Sequence, residues 1–200
     1  MNLRDAAVQV HVALACGVLL SGLAAGLVRV SRWRRQHAVW GRVCLAGVVA
    51  SSVLALGLAA DSHNRFGLLF ALQPLVLGLS GVAQWWRARW LRLATGAMGL
   101  LVAAGVLRGF WRFLATRDVV DVAAFAAVAL TVALLALGDL RPRRQPLALA
   151  HARRMLAVGW LYLAELLIFV WDPHPSLIAW AGAALPLTGV AWVLRRRAGT

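Results

Sequence analysis

Residues 39–60 read VWGRVCLAGVVASSVLALGLAA, an apolar run with a single charge, Arg42. As an α-helix such a run covers the ~30 Å of hydrocarbon in a bilayer, because each residue advances the helix ~1.5 Å. Six more runs of this kind lie at about 6–28, 66–84, 92–113, 119–138, 154–171 and 176–194. The chain is therefore expected to be all-α, a polytopic transmembrane helix bundle of about seven spans forming one domain over residues 1–200. Composition agrees, since 62% hydrophobic and 14% charged residues lie far from the ~45–50% and ~25% of soluble domains.

The net charge of +14 does not indicate nucleic acid. The basic residues fall between the apolar runs, where they act as topology signals and as partners for anionic lipid headgroups. All 21 are arginine, because the chain has no lysine. A retinal protein needs a lysine for its Schiff base, so a seven-helix rhodopsin is excluded.

The first run is too long for a signal peptide, and Met1 to Asp5 carries no net positive charge, so it is expected to be a retained span. If alternate loops face alternate sides, sixteen arginines, among them Arg29, Arg32, Arg34, Arg35, Arg87, Arg89, Arg141 and Arg153, fall on one side and five on the other. The positive-inside rule then puts the N-terminus outside and the C-terminus in the cytoplasm. Arginine-only, Ala/Leu/Val-rich usage looks like that of a GC-rich bacterial genome, so the chain is expected to be a multi-pass protein of a bacterial inner membrane. Trp33, Trp40, Trp85, Trp86, Trp90, Trp111 and Trp171 stand near span ends, where indoles favour the headgroup layer.

Several features concern packing. Gly22-x-x-x-Gly26 and Gly105-x-x-x-Gly109 place small residues one turn apart, which lets helices approach closely. Pro74 and Pro186 should kink their helices. Cys16 and Cys44 fall at depths differing by ~9 Å at ~1.5 Å per residue, too far apart for a disulfide, so both are expected to be free thiols.

Polar residues are costly in lipid and are the default functional candidates. Glu165 reads as the only acid well within a span, either protonated and bonded to a neighbouring helix or paired with His11 or His63. Gln73 is a second polar group within a span. His37 and Gly41 share a helix face, as do His151 and Met155, each pair being one turn apart. Histidine and methionine are haem or soft-metal ligands, and a glycine one turn away leaves room for a porphyrin edge. The plainer alternative makes His37 an interfacial residue that meets headgroups. His37 and His151 both follow arginine-rich loops and should lie at one depth, so they are expected to converge on one cytoplasmic site. Arg34, Arg35, Arg42, Arg153 and Arg154 would supply positive charge for propionates or lipid phosphates.

His11, the segment His37-Ala38-Val39-Trp40-Gly41-Arg42-Val43 and the segment His151-Ala152-Arg153-Arg154-Met155 together resemble the pattern of a family of small bacterial membrane proteins with no established activity. In that family the second motif usually reads His-Arg-x-x-Gly-Arg and the third His-x-x-x-Met followed by an arginine. Ala38 departs from the second motif, and no arginine follows Met155 within the sixth span. The resemblance covers the first three spans and the sixth, and implies fold and motif positions rather than an activity. Cytochrome b561-type bundles, which hold two haems between helices, are a looser analogy.

Three functions follow as expectations. The first is a b-type haem protein that exchanges electrons with a quinone or a membrane redox partner, with His37 and His151 as inner ligands and His11 and His63 as outer candidates. The second is a small transporter whose Glu165, Gln73 and histidines line a path for a proton, metal ion or solute. Its lack of an evident internal repeat counts against it. The third is an accessory or scaffold protein without chemistry of its own.

Overall fold

The structure is a computed structural model that describes residues 2–29, 36–113, 119–141 and 147–171. The described residues form six α-helices and no strand: α1 (Leu3–Arg29), α2 (His37–Asp61), α3 (Arg65–Trp85), α4 (Arg89–Phe113), α5 (Val119–Leu140) and α6 (Leu147–Trp171). Four stretches are long and apolar enough to cross a membrane, namely Leu3–Leu27, His37–Asp61, Gly67–Trp85 and Arg89–Gly109. The expected seventh span at 176–194 lies outside the described residues, as do His174, Arg34 and Arg35.

Side chains are distributed as a membrane protein requires. Buried positions hold small residues such as Ala15, Val18, Val48, Ala103, Val128 and Ala129, while Leu20, Leu23, Leu101, Leu130 and Leu134 face outward. In water that many exposed leucines would promote aggregation, whereas against lipid they cost nothing and small residues let the helices pack closely.

The chain divides into two compact units, Met1–Leu75 and Val76–Thr200. The division falls within α3, between Leu75 and Val76, one residue past Pro74, whose missing N–H interrupts the helical hydrogen bonds.

In the first unit α1 and α2 run antiparallel along their whole length. His11 meets Ser51, Val18 meets Gly47, Gly22 meets Cys44, and Ala25 meets His37. Gly47 is needed here, because a Cβ would come within 2.8 Å of the Val18 side chain. Gly22 faces the Cys44 sulfur, while Gly26 faces nothing within 4 Å among the described residues. Both cysteines are free.

Short turns join α2 to α3 and α3 to α4, each with a non-glycine residue in the left-handed region: His63 (φ 52°) and Arg87 (φ 56°). His63 closes α2, and its N–H donates to the Ala60 carbonyl. Asn64 then caps α3, its Oδ1 accepting the Gly67 N–H at 2.9 Å, as N-cap chemistry favours.

In the second unit α4 crosses α5 at small residues. A Cβ on Gly99 would lie 2.9 Å from that of Ala136, and one on Gly96 would lie 3.1 Å from both the Ala136 carbonyl oxygen and the Asp139 Cβ. Glycine at both positions brings the ends of the two helices into contact.

Candidate functional site

In the second unit, α3 and α5 finish at the level where α4 and α6 begin, and the polar residues of all four helices gather there. Ser80 and Gln84 stand one turn apart on α3, Asp139 in the last turn of α5, and Arg154 two turns into α6. All four are buried, Arg154 being 4% exposed and Asp139 1%. Nη2 of Arg154 donates to Asp139 Oδ1 in a buried salt bridge. Nε donates to Ser80 Oγ at 2.6 Å, and Nη1 donates to the Ala150 carbonyl at 2.7 Å. The Ser80 hydroxyl donates in turn to Asp139 Oδ2, and the Gln84 amide donates to Oδ1 at 2.5 Å.

The carboxylate thus receives three donors from two other helices. A buried ion pair holds in a low dielectric only when its remaining hydrogen-bonding capacity is met, and here each charged group is almost fully satisfied. The cluster ties α3, α5 and α6 together.

Asp139 was not expected at the core. The expected span, 119–138, stops one residue short of it. α5 continues to Leu140, and Asp139 in its last turn is buried against Arg154. Arg154, expected to face headgroups or propionates, is committed to Asp139 inside the unit, while Arg153 is exposed. The one sequence signal that bears on this cluster is the Ser80-x-x-x-Gln84 spacing, which puts two hydrogen-bonding side chains on one face of α3.

His151 packs beside this cluster. α6 begins at Leu147, so His151 lies one turn inside the helix rather than at its start. Its Nδ1 bonds the Gly81 carbonyl at 2.9 Å, and its ring lies tilted against Trp85 with centroids 5.8 Å apart. Met155 shares that face, as its spacing requires. Its sulfur fills the space beside Gly81, 3.1 Å from where a Cβ would stand.

His37 repeats this construction in the first unit. It is the first residue of α2, and its Nδ1 bonds the Ala25 carbonyl at 2.9 Å. Ala25 stands four residues before the end of α1 and Gly81 four residues before the end of α3. Gly41, one turn from His37, has nothing within 4 Å of where its Cβ would be. His37 and His151 thus belong to different units, each settled against its own neighbouring helix.

The remaining candidates are separate. His11 is half-buried, with Nδ1 3.2 Å from the Ser51 carbonyl oxygen and 3.0 Å from its hydroxyl. His63 is exposed in the α2–α3 turn, its Nδ1 3.2 Å from the Asp61 carbonyl oxygen. Gln73 is completely buried, and neither atom of its amide has a partner among the described residues. Glu165 stands on α6, but its side chain lies outside the described part of the structure. Among the described residues no three His, Cys, Asp or Glu side chains gather as a metal site.

Comparison with protein families, curated proteins and solved structures finds no match.

Proposed function

We propose that the chain is a multi-pass protein of a bacterial inner membrane, with seven spans, its N-terminus outside and its C-terminus in the cytoplasm, and that it carries b-type haem for electron transfer. The observation that carries the haem reading is the shared setting of His37 and His151. Each imidazole meets a main-chain carbonyl through Nδ1. A carbonyl can only accept, so Nδ1 holds the proton and the lone pair falls on Nε2, a nitrogen with which histidine ligates iron. Ligating histidines are commonly oriented in this way by a carbonyl behind the ring.

Haem iron draws four of its ligands from the porphyrin and asks the protein for one or two. When bound, haem would supply one-electron redox chemistry, with a quinone or membrane redox partner exchanging the electron. His11, whose Nδ1 likewise faces a carbonyl, is a further ligand candidate. Haem content measured as the pyridine haemochrome tests the assignment. His37→Ala or His151→Ala should lower haem per protein at least severalfold, and unchanged content in both would remove these residues from the site.

One observation favours a second reading, a path for a proton or small polar solute through the first unit. The orphaned Gln73 amide lies about six residues along α3 from Gly67, whose Cβ position is 3.2 Å from Ala59 on α2. The same count back along α2 reaches Val53 and Ser52, and the Ser52 hydroxyl is also buried without a partner among the described residues. Polar groups in lipid that are not bonded to one another are the kind that bind water or solute. Gln73→Leu should abolish proton or solute uptake into vesicles if this reading holds, and should leave haem content unaltered.

A further inference from the structure

We propose that Arg92 is the anchor of a binding site for the phosphate of an anionic phospholipid. Arg92 stands in the first turn of α4 and is 9% exposed. A guanidinium has five N–H donors and stays charged at any physiological pH. Among the described residues this one makes a single hydrogen bond, from Nη1 to the Arg141 carbonyl at 3.0 Å. Its Nε is buried and has no acceptor among those residues.

The neighbouring carboxylate does not answer it. Asp139 lies against Gly96, one turn along α4 from Arg92, but it is taken by Arg154, Ser80 and Gln84. Among the described residues Arg92 has no ion pair. Of the two buried guanidinium groups only that of Arg154 therefore has a carboxylate, and burying a cation without a counter-ion is among the costliest arrangements in a protein. Contact with the carbonyl end of α5 offsets part of that cost. An anion would offset the rest.

The surroundings identify the anion. Trp85, Trp86 and Trp90, at the α3–α4 turn beside Arg92, are exposed, as indoles are at the headgroup layer. Arg87, Arg89 and Arg141 are exposed at the same end of the unit and add positive potential that concentrates anionic lipid. A phosphate oxygen pair matches the planar guanidinium fork. This inference rests on the reading that the helices cross a membrane, and is independent of whether haem is bound.

The test uses the full-length protein in neutral detergent micelles containing phosphatidylglycerol or phosphatidylcholine, with retained lipid counted by native mass spectrometry. The wild type should retain phosphatidylglycerol about tenfold over phosphatidylcholine, the worth of one charge-assisted contact. Arg92→Gln should bring that ratio close to one, and Arg65→Gln, at an exposed position at the opposite end of α3, should leave it in place. If Arg92→Gln does not fold, Arg92→Lys, which keeps the charge and loses the fork, should retain less than half the preference. Equal retention of the two lipids by the wild type, or full preference in the Arg92 variants, would overturn the proposal. Displacement of phosphatidylglycerol by millimolar inorganic phosphate would also overturn the lipid assignment and give the site to a free anion.

Discussion

Arg154 of α6 and Asp139 of α5 form a salt bridge in the interior of the second unit, with Ser80 bonded to both. The pair lies fifteen residues apart in sequence, and joining it draws α5 and α6 onto α3. Buried pairs of this kind matter less for their net energy than for what their separation would leave behind.

Asp139→Leu or Arg154→Met alone should therefore destabilise the protein by about 3–5 kcal/mol, since each strands a charge in an apolar interior. The double variant should recover at least half of that loss. Thermal unfolding midpoints in a mild detergent measure this, and losses that simply add in the double variant would show that the two side chains are not coupled.

Gly99→Ala should cost about 1–3 kcal/mol by overpacking, because the new methyl would lie 2.9 Å from the Ala136 Cβ. Gly159→Ala, with nothing within 4 Å among the described residues, should cost nothing. Equal midpoints for the two variants would mean that α4 and α5 do not approach as closely as described.

His63 and Arg87 sit at positive φ, where a side chain is strained and glycine is not. His63→Gly and Arg87→Gly should each raise stability by roughly 0.5–1 kcal/mol. For His63→Gly, haem content should also be followed, since a loss there would give the imidazole a role beyond the turn.

Reporter fusions after Gln145 and Thr200 should report the cytoplasm, and fusions after His63 the outside. The arginine bias is the reason for this expectation. A cytoplasmic signal from His63 would reverse the topology.

Much of the fold was legible in the sequence because lipid imposes length and polarity on each helix separately. The four stretches able to cross a membrane start and end within a few residues of the expected spans. Charged residues were read less well. A charge at the end of an apolar run, such as Asp139, looks like a boundary, and only its partner reveals that it lies inside. That partner, Arg154, comes shortly after Pro142 and Pro146 in the sequence and sits among arginines that look like topology signals. His151 and Met155 were read as one face, which holds, but the face is set against Gly81 and Trp85, and periodicity says nothing about which helix lies opposite. Arg92 was missed for the same reason as Asp139.

The central claim, that histidines of this membrane protein hold haem, is tested most directly by an absorption spectrum. Protein purified in detergent from cells supplied with haem precursor should show a Soret band that shifts on reduction with dithionite, with iron close to stoichiometric. A featureless spectrum together with absence of iron from such a preparation would contradict the account.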